Sequence, residues 1–136
     1  MDETFQLDIL TPRRLIFSGT CEKLVAPGII GEFGVLAGHA NMLAELDAGV
    51  VRYRSQGKEH ILVTDHGFVD VKGERVTVLL DQALRSDEID VEDMKKRLKK
   101  AEETSYTPQD EQFDKWNRSV KWMRICLQMA GNKEVR

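Results

Sequence analysis

The feature that most constrains this chain is a change of period near Arg85. Before it, apolar and polar residues alternate in twos and glycine interrupts the alternation; after it, glycine is missing until Gly131 and apolar residues step by three and four. Side chains two apart share one face of a strand, whereas side chains three or four apart share one face of a helix. The sequence therefore divides into residues 1–85, written as strands, and residues 86–136, written as helices. With 136 residues in all, the first unit is a small domain and the second an appendage to it.

In the first unit the alternation runs through Phe5, Leu7 and Ile9, then Leu15 and Phe17, then Cys21 through Val25. Further runs at 50–53, 60–64, 68–71 and 75–80 are punctuated by Gly49, Gly57, Gly67 and Gly73. Short strands separated by turns at this rhythm predict an all-β sandwich or barrel. In the second unit Asp90 is placed to cap a helix whose apolar positions are Val91, Met94, Leu98 and Ala101, with Glu92–Lys96 and Asp93–Arg97 spaced to pair along it. Ser105 to Thr107 ends it. Thr107-Pro108-Gln109-Asp110 then reads as a second helix start, with Thr107 as cap and Pro108 in the first turn. The second helix carries Phe113, Trp116, Val120, Met123, Leu127 and Ala130. Met94 and Leu98 on one helix and Trp116, Val120, Met123 and Leu127 on the other form the seam of an antiparallel hairpin. About 45 residues is near the size at which a core cannot stabilise itself, so the seam needs further support from the sandwich or from a partner. A surface that both can offer makes the hairpin a two-state element.

Charge narrows the function. The net charge is −3, which argues against nucleic-acid binding through phosphate neutralisation. Cys21 and Cys126 lie far apart without metal-ligand spacing and read as reduced thiols. No run approaches a membrane helix, and the acidic start Met1-Asp2-Glu3 is unlike a secretory or transit peptide, so the expectation is a soluble chain that starts in place. Residues 87–94 carry five acids, 95–100 five bases, and 115–136 six bases against one acid. Acids at a helix start and bases at its end complement the macrodipole, which suffices for the first helix. In the second, Lys115, Arg118, Lys121 and Arg124 recur every three residues over more than two turns. Steps of three turn by about −60°, so these charges wind around roughly half the helix, a pattern suited to gripping an acidic protein surface.

Residues 28–38 hold four glycines, within Ala26-Pro27-Gly28-Ile29-Ile30-Gly31-Glu32-Phe33-Gly34-Val35-Leu36-Ala37-Gly38-His39-Ala40, without the Gly-Lys-Ser/Thr ending of a phosphate loop. Together with Leu10-Thr11-Pro12, Val69-Asp70-Val71-Lys72, Val76-Thr77-Val78-Leu79 and the helix start Ile89-Asp90, this stretch closely resembles the epsilon subunit of F-type ATP synthases, over essentially the whole chain. The resemblance implies a β-sandwich of about ten strands followed by a C-terminal antiparallel α-helical hairpin. It implies a non-catalytic rotor subunit without a cofactor, fixed to the gamma subunit and touching the c-ring. Its hairpin would fold onto the sandwich or extend into the alpha and beta subunits of the head and block ATP hydrolysis there. Membrane association would come through the complex only, at the cytoplasmic face of the plasma membrane or, for a plastid source, at the thylakoid.

The same resemblance places Glu32 and His39 against the c-ring, with Asn41 where the family usually has proline. It assigns contact with the catalytic head to the hairpin, for which Lys115, Arg118, Lys121 and Arg124 are the candidate residues. Bacterial members often hold ATP at an I/L-D-x-x-R-A motif. Here Ile89-Asp90-Val91-Glu92-Asp93-Met94 puts an acid at the arginine position and a bulky side chain at the alanine. Asp93 would repel phosphate, so Asp90 reads as a helix cap rather than a nucleotide contact. Two other classes compete. One is an enzyme pairing His39, His60 or His66 with Asp65 or Asp70, although no nucleophile motif accompanies them; the other is a free-standing regulatory module whose hairpin binds an acidic helix elsewhere.

Overall fold

The computed structural model describes residues 3–130. Ten strands form two five-stranded sheets, and two helices follow them. The strands are β1 (Phe5–Leu10), β2 (Leu15–Cys21), β3 (Lys23–Pro27), β4 (Glu32–Val35), β5 (Met42–Leu46), β6 (Gly49–Ser55), β7 (Lys58–Thr64), β8 (Gly67–Lys72), β9 (Arg75–Leu80) and β10 (Ala83–Arg85). One sheet has the order β2-β1-β9-β8-β5 and the other β10-β7-β6-β3-β4. Every pairing is antiparallel except β1 with β9, where Gln6 to Leu10 run alongside Arg75 to Leu79.

Alternation sets the core between the sheets. Phe5, Leu7 and Ile9 of β1, Val69 and Val71 of β8, and Val76, Val78 and Leu80 of β9 point inward against Leu24, Val35, Val51, Tyr53 and Leu62 of the other sheet. Each such aliphatic side chain contributes about 1.5–3 kcal/mol when fully buried. Gly67 has no substitute at its place, because a Cβ there would collide with the Leu79 carbonyl of the neighbouring strand.

The structure departs from three local expectations and adds a strand to the glycine-rich segment. Leu15, which alternates in step with Phe17, is 58% exposed, because a register shift between Ile9 and Leu10 turns it outward while Phe17 stays against the core. The glycine-rich segment contains β4, and Glu32 is the first residue of that strand. Thr107 does not start the second helix. Asp110 accepts from the Thr107 N–H at 2.8 Å, and Phe113 N–H from there bonds back to Asp110 O at 3.1 Å, so residues 107–112 make consecutive turns. Helix α2 (Phe113–Met129) begins where side chains first reach helix α1 (Val91–Glu103): Phe113 packs beside Trp116, and Trp116 donates to Ala101 O at 2.8 Å. Tertiary contact thus decides a boundary that capping propensity places five residues earlier. Finally, Arg97, expected to pair with Asp93, lies over the ring of Trp122 with Cζ 5.5 Å from its centroid.

Candidate functional site

The hairpin lies folded on the sandwich, and α2 is the helix that touches it, against β6 and β7. Two adjacent stripes on α2 explain this. Val120 and Met123 are buried and Trp116 and Leu127 half-buried on the side toward α1, where Met94 is buried and Leu98 half-buried. Trp122 and Cys126, four residues apart, form a second stripe that meets Ala48 and Val63 of the sandwich. Trp122 is 1% exposed, and its indole N–H donates to Val63 O at 3.1 Å. Neither residue belonged to the seam read from the sequence, although the 122–126 spacing runs parallel to it. Burial raises the Cys126 thiol to about 12, and burial likewise raises Cys21 to about 11, so both are poor nucleophiles at neutral pH.

The approach to the hairpin is pinned. Ser86–Glu88 form one 3-10 turn, in which Glu88 receives both Nη atoms of Arg14 at 2.8 and 2.9 Å and the Arg85 N–H at 2.7 Å. Hydrogen bonding to Arg14 therefore holds the Glu88 carboxyl below its ordinary range. Asp90 caps α1 by accepting from Asp93 N–H at 3.1 Å.

Two of the four basic residues of α2 are paired within the subunit and two line a shared cleft. Lys121 Nζ lies 2.9 Å from Asp47 Oδ2 of the sandwich, and Arg124 Nη2 lies 2.7 Å from Glu102 Oε2 of α1. Lys115 and Arg118 line a cleft of about 450 Å3 with Pro12, Asp65, Asp81 and Gln82. Asp65 is itself occupied, accepting from Gln82 N–H and Nε2, each at 3.0 Å.

At the glycine-rich end, Glu32 is 62% exposed at its side chain, with Arg52 Nη1 3.7 Å away on β6. His39 is half-buried; its N–H closes a turn on Leu36 O at 3.1 Å that Gly38 permits at φ +83°, and its Nδ1 meets the adjacent Ala40 carbonyl at 2.7 Å. The two residues assigned to one contact have no direct bond to each other; around Glu32 the exposed Ile29, Ile30 and Leu43 make an apolar rim. There is a second apolar surface. Leu15, Leu10, Leu79 and Phe68 stand in register across β2, β1, β9 and β8, on the outer face of their sheet. Leu15, Leu79 and Phe68 are exposed. The outward turn of Leu15 is what completes this row, and no periodicity in the sequence marks it.

Of the histidines weighed as catalytic, His66 faces carboxylates, but not the expected ones. Its Nε2 is 2.7 Å from Glu45 and its Nδ1 3.0 Å from Asp81, whereas Asp70 lies 3.9 Å from Lys72. His60 stacks on Tyr53 with centroids 4.9 Å apart. Among the described residues no group of three His, Cys, Asp or Glu side chains is arranged to hold a metal ion.

The model of the ATP synthase delta/epsilon chain β-sandwich domain matches residues 4–86. The ATP synthase epsilon chain of Geotalea uraniireducens is 35% identical over 133 residues, 96% of each chain. That of Pelotomaculum thermopropionicum is 42% identical over 102 residues, 75% of this chain and 76% of the relative. Among solved structures, a chain of the Euglena gracilis mitochondrial ATP synthase assembly of OSCP, F1 and c-ring aligns with a TM-score of 0.72 and 25% identity, covering 89% of this chain and 78% of that one. A chain of the Tetrahymena thermophila mitochondrial ATP synthase central stalk and c-ring shares the fold, with a TM-score of 0.57 at 10% identity over 94% of each chain. Likeness that runs through the sandwich and on through the hairpin means that the chain belongs to the epsilon-chain family of ATP synthases.

Proposed function

We propose that this chain is a non-catalytic central-stalk subunit that links the gamma subunit to the c-ring and brakes ATP hydrolysis with its C-terminal hairpin. One observation carries the reading: the sandwich is covered on one outer sheet by α2 and leaves the Leu15–Leu10–Leu79–Phe68 row of the other sheet exposed. An in-register apolar row is suited to a lasting protein neighbour, and we assign it to gamma. The separate rim with Glu32, Ile29 and Ile30, and with His39 on the turn beyond β4, is assigned to the polar loops of the c-ring. Residues 1–85 are then the assembly unit and 86–136 the brake. Membrane association follows through the ring alone, at the cytoplasmic face of a bacterial plasma membrane or at the thylakoid of a plastid.

In the docked state Lys121 and Arg124 are engaged within the subunit. Braking through Lys115, Arg118, Lys121 and Arg124 against acidic surfaces of the alpha and beta subunits therefore requires the hairpin to leave Asp47 first. The test is ATP hydrolysis by the assembled head with the whole chain and with one ending at Arg85. The shortened chain is expected to copurify with gamma and to raise hydrolysis. A shortened chain that folds but does not bind gamma, or hydrolysis that does not change, overturns the reading.

A further inference from the structure

The docked hairpin brings the basic side of α2 to an acidic end of the sandwich, and one titratable side chain lies at the junction. His66 stands between β7 and β8. Its ring nitrogens meet Glu45 of β5 at 2.7 Å and Asp81, just after β9, at 3.0 Å. The ring of Phe68 on β8 meets it edge-on with centroids 5.5 Å apart. Asp81 also lines the cleft opposite Lys115 and Arg118, together with Asp65, which Gln82 occupies. Asp47 is bonded to Lys121, with Arg118 near enough to help hold its carboxyl ionised. The sandwich thus contributes acids around His66, and the hairpin contributes only bases to the cleft lining.

We propose that His66 is a proton-operated release for the hairpin: neutral, it leaves the charge of Glu45 and Asp81 to attract Arg118, and protonated, it engages both carboxylates and repels Arg118. The proposal rests on the reading that the hairpin can leave the sandwich. Burial lowers the affinity of His66 for its proton, but the bonds to Glu45 and Asp81 raise it by more, leaving it above the ordinary 6.5, while Arg118 opposes them. When the hairpin leaves, that opposition goes with it and His66 holds the proton more firmly. Release therefore takes up protons, and by reciprocity acid favours release. One partly solvated charge contact of this kind shifts the docked-to-released ratio by roughly two- to fivefold between pH 8 and pH 6.

Acrylamide quenching of Trp122 in the full chain, with Trp116→Phe to leave one indole, reads docking directly. Quenching is expected to rise as the pH falls from 8 to 6, to become flat in His66→Gln, and to shift to lower pH in Glu45→Gln. A flat parent profile overturns the proposal, as does a pH dependence that survives His66→Gln, since His39 and His60 remain in that variant. Should His66→Gln fail to fold, Glu45→Gln decides, and an unmoved midpoint overturns the proposal. The isolated subunit contains neither gamma nor the head, so failure here leaves the braking assay standing, and failure of that assay leaves this pH profile intact.

Discussion

Trp122 is the residue on which docking turns. Its ring fills the gap between α2 and β7, its N–H answers the Val63 carbonyl, and Arg97 covers its face. Trp122→Phe keeps most of the ring but leaves that buried bond unmade, which costs about 1 kcal/mol and shifts docking roughly fivefold. Trp122→Ala removes on the order of 3–5 kcal/mol of packing and is expected to undock the hairpin altogether. Hydrogen exchange along α2 checks both: protection there should fall in that order while β1, β8 and β9 keep theirs. Equal loss of protection in the sandwich would mean that Trp122 supports the whole fold. The sequence held the clue, since 122 and 126 lie one turn apart. It was hidden because the first stripe, through Trp116, Val120, Met123 and Leu127, already satisfied a two-helix seam, and a stripe for a third body is visible only once that body is in place.

At the scale of elements, α2 meets two neighbours with two stripes, α1 with one and the sandwich with the other, and scatters its charges around them. The four basic residues separate into a sandwich contact at Lys121, an α1 contact at Arg124, and a cleft lined by Lys115 and Arg118. Half-exposed pairs such as Lys121–Asp47 are worth about 0–1 kcal/mol, so apolar packing rather than charge holds the hairpin down. Changing all four to alanine is therefore expected to keep the hairpin folded and helical while raising ATP hydrolysis by the assembled head, with salt reproducing part of the effect on the parent. Unaltered inhibition at low ionic strength would assign the brake to steric blockage or to the apolar seam. The sandwich, the hairpin and the break between them were legible because each depends on a period. The start of α2 and the row from Leu15 to Phe68 were not, because the first is set by contact with Ala101 and the second by a register shift between Ile9 and Leu10.

At the scale of the molecule, a ligand that stabilises the docked state has to find complementary charge where hairpin and sandwich meet. Asp90 spends its carboxylate on the α1 cap, and Asp93 and Met94 stand where the family motif has arginine and alanine. Titration calorimetry of the full chain with ATP at millimolar concentration is expected to show no saturable heat; clear saturation would assign phosphate recognition to other cations. A different consequence follows from the parallel pairing of β1 with β9. Residue 6 finds its partner at residue 75, so the first strand leaving the ribosome has β2 beside it but waits on its other edge until nearly the whole sandwich has been synthesised. Pairing across so long a loop is slow compared with hairpin closure. The exposed row that crosses Leu10 and Leu79 therefore comes into being at the same moment as the sheet itself, and an unfinished chain has no such surface to offer a partner.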